Sequence, residues 1–333
     1  MRLREFIGNE RVIGWLQHTI ATDQVRHAYL FTGLEQIGKR TLALAFAQSI
    51  QCQDRARGEG DACGACVACR KIEHGNHPDV QLLALPKDKQ SYSIDQIRAL
   101  IDQVALKPTE GRKRIFIIPD ADLLTLPAIQ ASLKVLEEPP PNGMILLTCA
   151  NAESLLPTVL SRCQEVALTP VAPDILAPAL EQRFEIGAPQ ALETALLSGG
   201  RPGWAIEALS EPEVLAERRQ LLRDLAALTR ASRSERISAA KKYIADNEHA
   251  KEHTRHIIEL WLPWWRDVLL AARGAGDIIR HADDRTAVEA QARAWGPEAA
   301  ERFVRAQLKA LEQLDQNANP RLVFEVMLQS LPL

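Results

Sequence analysis

The chain is 333 residues long, more than one ordinary hydrophobic core requires, so two or three domains are expected. Hydrophobic residues make up 46% and charged residues 25%, the balance of a globular protein. A formal net charge of -3 excludes a chain that coats nucleic acid through overall basicity, although a local basic face stays open. The opening Met1-Arg2-Leu3-Arg4-Glu5-Phe6 has no apolar signal core, and no run approaches the ~20 apolar residues of a membrane span. A cytoplasmic location without a membrane partner is the expectation.

In chain order, His27 to Thr32 is a short apolar run that stops at glycine, and Lys39 to Ile50 has helical spacing. Val80 to Leu85, Arg114 to Ile118 and Met144 to Thr148 predict further buried strands. Ser93 followed by Gln96 predicts a capping box at the start of a helix carrying Ile94, Ile97, Leu100 and Ile101. A helix over Ala128 to Glu138 must stop at Pro139-Pro140-Pro141, because proline lacks an amide hydrogen and restricts the residue before it. Strands alternating with helices predict an α/β domain with a parallel sheet covered on both faces.

After about Ala167 the pattern becomes helical. A short segment to roughly Ser210 is broken by Gly199-Gly200-Arg201-Pro202-Gly203, and an all-helical region follows. Phe303, Ala306, Leu311 and Leu314 trace one helical face, and Val323, Met327 and Leu331 another. The expected organisation is an α/β domain over 1–166, a small helical lid over 167–208 and an all-α C-terminal domain over 209–333. Trp261, Trp264 and Trp265 suit base stacking or packing, and their apolar company of Ile257 and Leu262 favours packing.

Gly33-Leu34-Glu35-Gln36-Ile37-Gly38-Lys39 matches the first seven positions of a phosphate-binding P-loop and falls between a strand and a helix. In such a loop the glycines let backbone amides curl around phosphate oxygens, and the lysine reaches the terminal phosphates. The eighth position should bring a hydroxyl to Mg²⁺, but it is Arg40, which has no acceptor, and Thr41 arrives one residue late. One helical residue turns a side chain by about 100°. A ligand-free glycine turn is the plain alternative. The strand Arg114 to Ile118 should end in metal-binding and water-orienting acids, yet Pro119 and Asp120 stand there. With both Mg²⁺ contacts replaced, Gly33, Gly38, Lys39 and Thr41 form a degenerate site. Bound ATP or ADP remains open, but rapid turnover is not expected.

Six cysteines include four crowded as C-x10-C-x2-C-x2-C at Cys52, Cys63, Cys66 and Cys69. That cluster suits a closed, structural Zn²⁺ site better than disulfides or a redox dithiol. Gly58, Gly60 and Gly64 would supply its bends, and His74 and His77 lie nearby but are not needed. Cys149 and Cys163 are expected to be ordinary buried thiols.

Ser161-Arg162-Cys163, preceded by Leu133-Lys134-Val135-Leu136-Glu137-Glu138-Pro139-Pro140, resembles the bacterial DNA polymerase III clamp-loader AAA+ subunits. So do Phe6-Ile7-Gly8-Asn9-Glu10, the His27-Ala28-Tyr29-Leu30-Phe31 run and, at the C-terminus, Asn317-Ala318-Asn319-Pro320-Arg321-Leu322. The resemblance covers the first two domains and touches the third. It implies a RecA-like AAA+ domain, a zinc module at about 52–69, a helical lid and a collar domain that joins a hetero-oligomer.

A complete Ser-Arg-Cys beside a broken ATPase site resembles the delta-prime type rather than the gamma/tau motor. The partners implied are gamma/tau and delta subunits, with the sliding clamp and primed DNA reached through the complex. By the same match Arg162 is an arginine finger that acts in trans on a neighbour's γ-phosphate, the alternative being a surface salt bridge. Arg201 falls near where the family's lid meets nucleotide, but its segment departs from the motor pattern and it receives no role. No intrinsic activity is expected, and a nucleotidyltransferase label would belong to the polymerase complex. Two rivals remain. An active motor ATPase is opposed by Arg40 and Pro119. A zinc-dependent nucleic-acid module is opposed by Asp54, Glu59 and Asp61, which dilute Arg55, Arg57, Arg70 and Lys71.

Overall fold

Apolar runs of the N-terminal half become five parallel strands: β1 (Ala28–Thr32), β2 (Val80–Leu82), β3 (Arg114–Ile118), β4 (Gly143–Cys149) and β5 (Gln164–Ala167). The computed structural model describes residues 2–54, 60–86, 89, 91–244, 250–279 and 285–331. The strand order is β2-β3-β4-β1-β5, with β4 central and β1 between it and β5, the C-terminal end of β1 opening into the glycine loop. Both β1 and β4 are buried at every position, as a parallel strand covered on two faces must be. The strand β5 was absent from the sequence reading. It pairs only with β1, and of its four residues Val166 alone is buried, so no apolar run announces it.

Helices α1 (Glu10–Ala21), α2 (Lys39–Gln51), α3 (Val67–Glu73), α4 (Ile94–Val104), α5 (Leu126–Glu137) and α6 (Pro157–Leu160) cover the sheet. Alternation along β1 divides the core. Tyr29 and Phe31 join Leu16, Leu42 and Phe46 on one face, while Leu30 joins Ile97, Ile129 and Leu136 on the other. Tyr29 and Phe46 meet edge to face with ring centroids 4.9 Å apart. The capping box forms: the Ser93 amide donates to Gln96 Oε1 at 3.0 Å, and the Gln96 amide reaches Ser93 Oγ at 3.5 Å. As expected from the prolines, α5 stops at Glu137. This is an α/β domain with a wholly parallel five-stranded sheet among the described residues.

One buried carboxylate ties the β2 end of the sheet together. Asp79 is fully buried and accepts from the amides of Thr109, Glu110 and Gly111 at 2.7, 2.9 and 2.7 Å, with Arg114 Nη1 at 3.3 Å. Burial pushes its carboxyl up, but the three amides outweigh it and hold the group below the usual carboxylate range. A depressed carboxyl adds stability above the unfolded value of about 3.9 and loses it as pH falls through the folded value. Asp79→Asn is therefore expected to cost the N-terminal unit about 3 kcal/mol at pH 7. The gap to the parent protein should close as the pH drops below about 4. Urea midpoints measured across that range check this, and a pH-independent gap would contradict it.

The rest of the chain forms α7 (Pro173–Phe184), α8 (Ala188–Leu197), α9 (Pro202–Ser210), α10 (Pro212–Leu228), α11 (Arg233–Tyr243), α12 (Ala250–Ala272), α13 (Arg285–Asp315) and α14 (Pro320–Gln329). The chain packs as two units, one of residues 1–179 and 200–204, the other of 180–199 and 205–333. The segment expected to be a lid, 167–208, thus contributes to both units.

In the second unit, Trp261 and Trp265 are buried against Phe303, and Trp265 stacks on Trp295 at 4.3 Å. Trp264 is also buried and donates its indole N–H to Gln291 Oε1 at 2.8 Å. These tryptophans are core, not a stacking platform. The buried face of α13 runs through Phe303, Gln307, Ala310 and Leu314. Ala306 and Leu311, expected on that face, are only partly buried at its margin, and the polar Gln307 takes the central place. Buried Arg236 donates to the carbonyls of Leu228, Thr229 and Leu331, satisfying the end of α10. No described helix is long and apolar enough to cross a membrane.

Candidate functional site

The loop after β1 takes P-loop geometry from its glycines. Gly33 and Gly38 have φ of +139° and +104°, and Gln36 is left-handed at +57°. A Cβ on Gly33 would lie 2.7 Å from the Leu168 carbonyl, and one on Gly38 would lie 2.9 Å from the Phe6 ring. The Gly203 amide donates to Gln36 O at 2.8 Å, so the start of α9 closes the loop's outer side. Lys39 is 7% exposed, and its ammonium donates to Gly33 O at 2.7 Å and Leu34 O at 2.9 Å. Burial pulls the Lys39 ammonium below its ordinary pKa, against the opposing pull of Asp120, Glu35 and Asp122.

Arg40 and Thr41 are both exposed on the first turn of α2. After β3, Asp120 is left-handed (φ 46°) and its amide donates to Thr148 Oγ1 at 3.0 Å on β4. The lysine and the acids at the strand ends therefore converge. No hydroxyl follows Lys39 directly, and proline holds the first position after β3. The arrangement has the backbone of a phosphate site without its usual magnesium side chains.

Arg162 lies in the turn after α6. Its Nη1 donates to Thr158 O at 2.8 Å and Ser161 Oγ at 3.0 Å, and its Nη2 pairs with Glu137 Oε1 at 2.8 Å. The Arg162 side chain is 32% exposed. Glu137, the last residue of α5, had not been singled out from the sequence. Lys134, in the same turn of α5, is exposed.

Cys52 caps the C-terminal end of α2, and Cys66 caps the start of α3, bringing the cysteines of the intervening loop together. The sulfurs of Cys52, Cys63, Cys66 and Cys69 all lie within 4.8 Å of one another. Tetrahedral metal–sulfur bonds of about 2.3 Å put the sulfurs about 3.8 Å apart, so closing on an ion needs only a small contraction of this cluster. Amides already point at these sulfurs: Cys63 N to Cys52 Sγ at 3.3 Å, Cys66 N to Cys63 Sγ at 3.3 Å and Cys69 N to Cys66 Sγ at 3.5 Å. Burial raises the Cys52 and Cys69 thiols; at Cys66 it is overridden by amide hydrogen bonds from Cys69 and Gln53, which lower the thiol to about 6. The donor set fits a structural metal.

His77 packs instead toward Glu110 at 3.7 Å, and His74 Nδ1 contacts Arg70 O at 2.7 Å. Neither belongs to the cluster. Arg55, Arg57, Gly58 and Glu59 lie outside the described residues. Cys149 is fully buried but Cys163 only partly so, and burial raises both thiols to about 12.

Asp61 departs from its sequence reading. It is no diluting surface acid: 2% exposed, it accepts from the amides of Leu3 at 2.9 Å, Arg4 at 3.0 Å and Ala62 at 2.7 Å, and from Ser49 Oγ at 3.2 Å. It binds the cysteine loop to the N-terminal segment and to α2. Gly60, just before it, has φ of +88°, and a side chain there would strike the Gln17 carbonyl. Most of its partners are backbone amides, so little beyond the Gly60-Asp61 dipeptide could have hinted at the staple.

The family model described as "DNA polymerase III, delta subunit" matches residues 8–172. The delta' subunit of DNA polymerase III from Bacillus subtilis is 37% identical over 163 residues, 49% of this chain and 48% of that one. The delta' subunit from Yersinia pestis is 39% identical over 147 residues, 44% and 42% of the two chains. The tau/gamma subunit from Haemophilus influenzae is 33% identical over 165 residues, 49% of this chain and 23% of that one. The match therefore spans half or less of each of these relatives. Over residues 8–172, just under half of its length, the chain is similar to the clamp-loader subunits of DNA polymerase III, delta' subunits among them at 37% and 39% identity.

Proposed function

We propose that the chain works as the delta'-type subunit of a replicative clamp loader, giving Arg162 in trans to a neighbouring ATPase subunit while its own ATPase site is degenerate. The observation that carries this reading is an intact Ser161-Arg162-Cys163 turn on the same domain as a P-loop followed by Arg40 and a β3 strand followed by Pro119. In this scheme residues 167–208 serve as a lid and 209–333 as a collar that joins gamma/tau and delta subunits. The assembly then places a sliding clamp on primed DNA. The phosphoryl group in flight carries charge on its equatorial oxygens, and a planar guanidinium aimed at them lowers the barrier without taking part in bond making. The same reading makes the four cysteines ligands of a structural Zn²⁺, which would fix the loop without chemistry of its own.

The competing reading is a gamma/tau-type motor, since relatives of that kind match the same half of the chain. It requires magnesium ligands that Arg40 and Pro119 do not supply. Purified alone, the protein is expected to show negligible magnesium-dependent ATPase. Robust turnover abolished by Lys39→Ala would overturn the delta'-type reading in favour of the motor.

A further inference from the structure

We propose that Glu137 is a positioning residue for Arg162, holding its guanidinium in the attitude needed to meet a partner's phosphate. The inference rests on the reading of Arg162 as a trans-acting arginine and names what prepares it. Glu137 ends α5, where the helix dipole presents its negative end and an acid is disfavoured, so a carboxylate there needs a cation to answer it. Arg162 supplies that cation at 2.8 Å.

The three contacts of Arg162 come from different directions: Thr158 O and Ser161 Oγ occupy Nη1, and Glu137 occupies Nη2. Together they fix a long side chain that would otherwise spread over many rotamers, and ordering it during the reaction would cost rate. A guanidinium carries five N–H donors, more than these three contacts use, and its planar fork suits phosphate oxygens. Glu137 is 49% exposed, so its pairing is a weak surface bond. Such a bond can orient Arg162 without trapping it against a polyphosphate.

The test uses complete clamp-loader complexes reconstituted with this chain as wild type, Glu137→Ala, Glu137→Gln, Arg162→Ala or the double variant. Assembly is checked by size exclusion, and DNA- and clamp-stimulated ATPase is measured. Glu137→Ala is expected to lower the Arg162-dependent part of kcat about two- to fivefold with KM unchanged. Glu137→Gln, whose amide oxygen still accepts the bond, should recover most of that loss. Added to Arg162→Ala, the Glu137 change should do nothing further, because both act through one guanidinium.

Glu137→Ala rates equal to wild type beside a slow Arg162→Ala complex would overturn the positioning role alone. A faster Glu137→Ala complex would show that Glu137 masks Arg162, which also overturns it. Additive losses would assign Glu137 a separate structural effect and overturn it too. If Arg162→Ala itself leaves the rate unchanged, the trans-arginine reading falls and takes this inference with it.

Discussion

Replacing Cys66 with serine, or chelating the metal, is expected to release about one Zn²⁺ per chain and to loosen a region well beyond the cysteine loop. Four sulfurs within 4.8 Å, two of them fully buried, have little reason to stay gathered without a cation to neutralise them. The loosening should travel along identifiable bonds. Asp61 ties the loop to the amides of Leu3 and Arg4, and Gln48 Nε2 donates to Cys69 O at 2.8 Å, tying α3 to α2. Hydrogen exchange should therefore rise at residues 3–6 and 60–73, while β1, β3 and β4 keep their protection, because those segments give their cores only Leu3, Phe6 and Ile72 and the rest comes from the strands and the other helices. Stoichiometric zinc persisting in Cys52, Cys63, Cys66 and Cys69 replacements would contradict the assignment.

Arg162→Ala is expected to lower the DNA- and clamp-stimulated ATPase of the assembled complex and its loading rate, leaving folding, zinc content and assembly intact. Arginine fingers contribute about 10³–10⁵ in rate in GTPase systems. The whole-complex loss should be smaller, since only the interface made by this chain depends on Arg162. Arg162→Lys should rescue poorly. A lysine ammonium is a point charge that cannot hold Thr158 O, Ser161 Oγ and Glu137 together while facing a phosphate. Full rescue by lysine would mean that charge alone matters there.

What could be read from the sequence follows from the physics of each element. Strands β1, β3 and β4 were legible because a strand buried on both faces is apolar throughout, and glycines or prolines punctuate its ends. The strand β5 was not, because an edge strand with one buried residue carries no such run. Cysteine spacing disclosed a metal-type cluster, since ligands for one ion must be close in space and here are close in sequence. Asp61 and Asp79 stayed hidden. Their partners are mostly backbone amides, which any residue supplies, so no pairing of side-chain types pointed to them. The Glu137–Arg162 pair was likewise invisible, because the packing of α5 beside α6 brings the two together. In the helical half, periodicity revealed helices but placed Ala306 and Leu311 on a face whose centre is the polar Gln307.

The central claim is that this chain completes one partner's ATP site and lacks a working one of its own. Single-turnover ATP hydrolysis by the DNA- and clamp-bound complex tests it most directly, comparing wild-type and Arg162→Ala assemblies of equal stoichiometry. The account predicts that the fast phase of the Arg162→Ala complex falls short by the ATP held at the interface with this chain. That remaining nucleotide should hydrolyse slowly. Equal amplitude and equal rate in the two complexes would contradict the account.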